Sequence, residues 1–361
     1  MTDIFEGAGF RRATNLQDKV AEAAALFRAG AGARTAHDRY LLTEAMSTSD
    51  FPVLLGKGFE VEAMQAQKDA VKEYEQFAFT TTVPDFRPKK LRDLFGSTMF
   101  DDVAEGEEYK GDVLEETEIE VKVGKTGRSF GYTWELALSG DFTNMADFPK
   151  RLGNAAVETE NDRTHRVFVT ETGPNTAFFD TVDTKPLTAE NLDAAISGLA
   201  LKEDHRGDLV DTSTLILVVP PSLQVQAQRL LNAAELELKV TEGSKTATTK
   251  VANPFRGLVE LQVSRSLVRI DKSGTRASSW YLLPGKATSN PAVVKAGLIG
   301  HENVDIRVKR DQGERIGGGQ PAFDDGSFKD DTIWFRGRHV FGAAAGFNYA
   351  AYASTGTGAA G

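Results

Sequence analysis

The sequence predicts an α+β protein built around one long helix. Three observations carry this. Residues 148–171 repeat apolar positions at helical spacing, and no Gly or Pro falls between Gly153 and Gly173. Residues 87–132 alternate polar and apolar side chains like strands, with glycines at the turns. Residues 175–300 set short apolar strands between short helices, the order of a small α/β domain.

The long helix has a marked beginning. Asp147 is its expected N-cap, and Pro149 falls in the first turn, where a missing N–H costs nothing. Phe148, Leu152, Ala155, Ala156, Thr159, Arg163 and Val167 share one side, and Glu158, Glu160, Asn161, Asp162 and Arg166 the other. A helix from 147 to 171 would be about 35 Å long, the width of a small domain.

Composition bounds the function. With no cysteine among 361 residues, disulfides and thiolate metal sites are out, which fits a reducing compartment. No segment reaches the length of a membrane span, and the first residues lack a signal-peptide core. The expected compartment is the cytoplasm, with no membrane partner. A net charge of -10 speaks against a globally basic nucleic-acid binder.

Residues 1–59 read as an N-terminal arm. A short amphipathic helix sits in it, with Leu16, Val20, Ala23, Ala24 and Phe27 on one face. Asp50-Phe-Pro reads as a turn. Residues 60–86 hold a helix from Glu60 to Phe77, with Val61, Met64, Ala70, Val71 and Phe77 near one face, then a β-like piece broken by Pro84.

Residues 87–132 read as an extended hairpin. Thr117, Ile119, Val121 and Val123 point one way, and Glu118, Glu120 and Lys122 the other. Ten carboxylates and one base, Lys110, lie between Asp101 and Glu120, nearly the whole charge imbalance of the chain. Lys89, Lys90 and Arg92 flank this block on one side, and Lys122, Lys125 and Arg128 on the other. Isolated two-stranded ribbons are marginal in water, so the hairpin is expected to lie on another copy of the chain. Two readings of the block stay open: a solvated, self-repelling flap, or acids that dock on the bases of a neighbouring copy. Glu105, Glu107, Glu108, Glu115 and Glu116 are the candidate contact residues with those six bases.

Residues 133–174 carry the spine helix. Beyond it, Phe178-Phe179 lies in a loop, and Thr188 is the expected N-cap of a helix burying Leu192, Ala195, Ile196 and Leu199. Asp211–Val219 reads as a buried strand. Pro220-Pro221-Ser222 turns the chain into a helix, Leu223 to Ala234, and two strands follow at 258–263 and 280–283. Residues 301–361 contain two alternating strands, 303–309 and 332–345, expected to return beneath the spine, and then a Gly/Ala/Thr tail.

Catalytic signatures are lacking. The five histidines, His37, His165, His205, His301 and His339, stand apart from any serine or carboxylate motif, and solvated or capping roles are expected of them. Gly317-Gly318-Gly319 lacks the strand-before, helix-after context of a phosphate cradle. Asp324-Asp325 and Asp330-Asp331 lack the further oxygen ligands of a cation site. No catalytic residue, cofactor or metal is expected.

Six segments occur in a telling order: Val83-Pro-Asp-Phe, Asp102-Val-Ala-Glu-Gly-Glu-Glu-Tyr, Phe130-Gly-Tyr-Thr-Trp-Glu, Phe148-Pro-Lys-Arg-Leu-Gly, Thr214-Leu-Ile-Leu-Val-Val-Pro-Pro-Ser-Leu and Arg336-Gly-Arg-His-Val-Phe-Gly-Ala-Ala. Over roughly residues 60–350 this order resembles the major capsid proteins of tailed bacteriophages, especially the Mu-type major head subunit branch. The resemblance implies a Hong Kong 97-type fold with an N-terminal arm, an extended hairpin loop, a peripheral domain with the spine helix, and an axial α/β domain at 175–300. It further implies a homo-oligomer of hexamers and pentamers, an icosahedral shell around double-stranded DNA touched weakly and non-specifically, and scaffold, portal and decoration proteins as partners. The place implied is the virion capsid, assembled in the host bacterial cytoplasm. An encapsulin-type nanocompartment shell shares the fold and stands as an alternative, and a hydrolase using Glu105, Glu107 and Glu108 is the alternative from another class.

Overall fold

The computed structural model describes residues 51–95, 115–133, 135, 147–205, 207–242, 245–288, 291–309, 311–314, 316–318 and 326–358. The helix expected at 16–28 and the carboxylates Glu105, Glu107 and Glu108 lie outside them. The chain divides into two compact units. The first is drawn from Met1–Val71, Lys125–Glu158 and Gly300–Val340, the second from Lys72–Gly124, Thr159–Ile299 and Phe341–Gly361.

Helix α1 (Phe51–Asp69) belongs to the first unit. It starts before the expected Glu60 and ends before Phe77. Pro52 lies in the first turn of a helix, where proline is tolerated, so the expected turn is a helix start. The buried face is Phe59, Ala63 and Gln67, at steps of four, whereas Val61 and Val71 are exposed. Gln67 is held inside because its amide serves backbone: Nε2 donates to the Glu302 carbonyl at 3.1 Å, and Oε1 accepts from Val304 N at 3.2 Å.

Strands β1 (Ala78–Val83), β2 (Lys89–Phe95) and β3 (Glu115–Val121) follow in the second unit, and β4 (Gly124–Thr133) leads on. Helix α2 (Phe148–His165) is the spine. Asp147 contributes its carbonyl, which accepts from Arg151 N at 3.1 Å. The helix ends at His165, not near Glu171, and is therefore about 27 Å long. Asn175 explains the early stop: its Nδ2 donates to the Val167 carbonyl at 2.8 Å. Gly173, at φ +118°, then turns the chain so that β5 (Val169–Thr170) pairs antiparallel with β6 (Gly173–Pro174).

The second unit continues with β7 (Val182–Asp183), α3 (Ala189–Ala200), β8 (Leu215–Val219), α4 (Gln224–Asn232), β9 (Glu235–Glu242), β10 (Lys245–Ala252), β11 (Val259–Val263), α5 (Arg265–Ile270), β12 (Trp280–Pro284) and β13 (Val293–Leu298). Then come β14 (Asp305–Val308), β15 (Thr332–Ala345) and β16 (Tyr352–Ser354). Thr188 caps α3 as expected, its hydroxyl accepting from Asn191 N at 3.2 Å. A sheet of order β11-β8-β12-β16-β7 forms the middle of the unit. Strand β8 is buried on both faces, which is why it reads as an unbroken apolar run. Ile216 and Val218 face a core with Phe77, Phe168, Phe178, Phe179 and Tyr281, while Leu215, Leu217 and Val219 face α3, α4 and Trp280.

Strand β15 is shared by both units. Its later half pairs with β13, from Val293↔Ala345 to Gly297↔Phe341, and β1 lies parallel to β13. Its earlier half pairs with β14 and with β4. In the first unit the return beneath the spine is direct. Phe335 meets the Phe148 ring at 5.3 Å, and Gly337 lies so close to Leu152 that an added Cβ would sit 2.7 Å from its Cδ2.

Candidate inter-subunit surface

Register defines the hairpin. Strand β2 runs antiparallel to β3 from Lys89↔Val121 to Phe95↔Glu115, so alternation separates two faces. Lys89 and Leu91 share one face with Val121 and Ile119. Lys90 and Arg92 share the other with Glu120 and Glu118.

At the described base of the hairpin the apolar face is covered within the chain. Ile119, Val121 and Val123 are buried, and Gly342 of β15 fits against the backbone of Lys122 and Val123, where a Cβ would come 2.0 Å from the Lys122 carbonyl.

The charged face is partly matched on its own strands. Lys90 Nζ stands 2.5 Å from Glu118 Oε1, both about half exposed, and Arg92 is the register partner of Glu118. Lys89 Nζ donates to the Thr82 carbonyl at 3.1 Å. Glu115 and Glu116 stand opposite Phe95 and Leu94, without a basic register partner. Lys122, Lys125 and Arg128 are exposed.

Two buried polar clusters escaped the sequence reading. In the first, the Glu73 carboxylate accepts from Ser264 Oγ at 2.7 Å, Arg265 N at 3.0 Å and Ser266 N at 3.1 Å. His165 Nε2 lies 2.9 Å from the same Ser264 Oγ, and its Nδ1 lies 2.7 Å from the Asn161 carbonyl. That carbonyl can only accept, so Nδ1 carries a proton, and in the neutral ring Nε2 is an acceptor that shares the one Ser264 hydroxyl hydrogen with Glu73. His165 is thus neither solvated nor remote from serine and carboxylate; it is fully buried. His339 is buried as well. The partners of His165 come from segments about a hundred residues away in sequence, so no local motif marks them. In the second cluster, Lys295 Nζ lies 2.8 Å from Glu160 Oε1 and 2.6 Å from Tyr74 Oη, which donates to Glu160 Oε2 at 2.5 Å.

Glu73, Tyr74, Glu160, His165 and Ser264 of these clusters are all buried. Ser264 is the middle member between acid and imidazole and is fully buried, so it cannot serve as a nucleophile. Among the described residues no group of three or more His, Asp or Glu is placed to hold a metal ion, and no helix is long and apolar enough to cross a membrane.

A spine helix backed by a long shared strand, a charged hairpin and a separate α/β sheet together make the Hong Kong 97-type capsid fold. The capsid of the cyanophage P-SCSP1u is similar at TM-score 0.50 and 11% identity, over 79% of this chain and 88% of that one. The capsid of Helicobacter pylori bacteriophage KHP30 gives TM-score 0.45 and 10% identity, over 77% and 87%. The mature capsid of bacteriophage PhiM1 gives 0.45 and 11%, over 79% and 86%. No curated protein matches the chain by sequence. The family model described as phage capsid protein matches residues 116–354, more than half of the chain. The chain belongs to the phage capsid protein family, and it is a structural subunit of the virion capsid.

Proposed function

We propose that copies of this chain tile as hexamers and pentamers into an icosahedral head enclosing double-stranded DNA. The observation that carries this reading is the family match across residues 116–354, joined by the capsid-like fold. The order of sequence segments supports a place in the Mu-type major head subunit branch. Assembly takes place in the host bacterial cytoplasm, with scaffold, portal and decoration proteins as partners, and the chain has no enzymatic role. The spine helix and return strands serve as the peripheral domain and residues 175–300 as the axial domain.

In this reading the hairpin is the organ of contact between copies. Glu115 and Glu116, whose register partners are Phe95 and Leu94, are proposed among its contact acids. Each exposed pair contributes only ~0–1 kcal/mol, so a repeated network sets orientation more than strength.

Density-gradient purification of particles from phage-producing cells tests this. The expected particle carries this chain as its most abundant protein and protects duplex DNA from nuclease. Particles of the chain that hold a protein cargo and no DNA would overturn the DNA part of the reading.

A further inference from the structure

Strand β11 is an edge of the sheet β11-β8-β12-β16-β7. It lies parallel to β8, from Val259↔Leu215 to Val263↔Val219, so alternate residues bond inward. Leu215 N–H donates to the Leu258 carbonyl at 3.4 Å, and Ser264 N–H to the Val219 carbonyl at 2.9 Å. These bonds fix the phase. Residues 258, 260, 262 and 264 serve β8, while Val259, Leu261 and Val263 turn their peptide groups outward.

Two of the outward groups are already used within the chain. Val259 N–H donates to the Phe255 carbonyl at 3.2 Å, and the Val263 carbonyl accepts from Gln262 Nε2 at 2.9 Å. The rest have no partner among the described residues: the Val259 carbonyl, both groups of Leu261, and Val263 N–H. Native sheets blunt a free edge with Pro, Lys or a bulge. The run Val-Glu-Leu-Gln-Val carries none of these. Room for another strand is present. Val259, Glu260 and Leu261 together line a cavity of about 290 Å³. Consecutive strand residues belong to opposite faces, which places this cavity along the edge and not over one face.

The free groups are complementary to themselves. Antiparallel pairing about a two-fold axis at Leu261 sets Leu261 opposite its own copy, and Val259 opposite Val263 of the second copy. Leu261 N–H of each copy then donates to the Leu261 carbonyl of the other, and Val263 N–H of each to the Val259 carbonyl of the other. The groups left over are the same two that the chain already uses. Glu260 falls opposite Gln262, a carboxylate facing a donor amide. Neighbouring registers lose this fit. An axis at Glu260 sets like charges opposite each other and calls on Val259 N–H, and an axis at Gln262 calls on the Val263 carbonyl.

We propose that β11 is a self-pairing edge, joined antiparallel to β11 of a second copy about a two-fold axis at Leu261. Such an isologous contact closes at two copies. It is therefore separate from the heterologous contacts that build rings, and it does not depend on the shell reading.

The chain has no cysteine, so single cysteines report the contact directly. In this register residues 260 and 262 of opposite copies form a non-hydrogen-bonded pair with Cα atoms about 4.5 Å apart, within reach of a disulfide. Full-length Glu260→Cys and Gln262→Cys chains are oxidised separately and as an equal mixture, and disulfide-linked dimers are followed on non-reducing gels. The mixture should cross-link about tenfold faster than either chain alone, whose cysteines lie a diagonal apart at about 7–8 Å. Equal rates in all three samples would show random collision and overturn the proposal, and so would an absence of cross-linking. A second pair of variants needs no cysteine. Gln262→Glu sets carboxylates opposite each other and should weaken the monomer–dimer step in sedimentation equilibrium about tenfold. Glu260→Lys added to it should restore the dimer, and a failure to restore it would also overturn the proposal. Circular dichroism checks the fold of each variant.

Discussion

His165 Nε2 and Ser264 Oγ lie 2.9 Å apart, and Ser264 passes the contact on to Glu73 at 2.7 Å. This chain joins the last turn of the spine helix to the start of α5 through the segment that follows α1. It makes stability depend on pH. Burial draws His165 below its ordinary 6.5, against the pull of the Asn161 carbonyl and the Glu73 charge. Burial pushes Glu73 up, but hydrogen bonds from Ser264, Ser266 and the Arg265 backbone outweigh it and leave the acid below 4.5. The folded state therefore binds fewer protons than the unfolded state, and stability falls as pH falls. The His165 part is lost from about pH 6.5 downward and the Glu73 part from about pH 4.5 downward. Urea midpoints measured between pH 8 and pH 4 should decline across both windows, and His165→Gln should flatten the upper one. A midpoint that rises on acidification would contradict the assignment.

Lys295 and Glu160 form a buried pair that should behave as one unit. Lys295→Ala strands a buried carboxylate and should cost about 3–5 kcal/mol. Lys295→Met with Glu160→Gln removes both charges, leaves Tyr74 an acceptor, and should recover most of that loss. Equilibrium urea unfolding of the three variants measures it, and purely additive losses would contradict the coupling.

Gly342 is required by close approach. A Cβ there would lie 2.0 Å from the Lys122 carbonyl, a backbone atom that cannot swing aside. Gly342→Ala should destabilise by about 1–3 kcal/mol or more, seen as a lower melting temperature. An unchanged melting temperature would show that β15 does not seat the hairpin base.

The architecture was largely readable because its main elements obey period rules. Strand β8 is buried on both faces and announces itself by composition, and β15 by alternation. The misses have physical causes. The spine pattern runs past His165, but Asn175 captures the carbonyl that further helix would need. Strands β9 and β10 are rich in Glu, Lys and Thr, and β16 is too short to show a period. The hairpin register Lys90↔Glu120 and Arg92↔Glu118 was hidden because the sequence does not fix which residues of two strands stand opposite. The outward phase of β11 was hidden for the same reason, although the strand was expected. His165, Ser264 and Glu73 meet only through tertiary folding.

Lys90 and Glu118 are exposed and should matter little to the fold. Lys90→Ala should change unfolding free energy by ~0–1 kcal/mol. Reversal of Glu115 and Glu116 together should leave circular dichroism unchanged and impair assembly. Normal shells from that variant would remove these two acids from the contact.

The most direct measurement is negative-stain electron microscopy of the purified, concentrated protein, with sedimentation alongside. Closed shells, tubes or rings of five and six are expected of a capsid subunit that tiles by contacts between copies. A protein that stays a monomer or dimer at high concentration, alone and with the other head proteins of its phage added, would contradict the claim that this chain builds a shell.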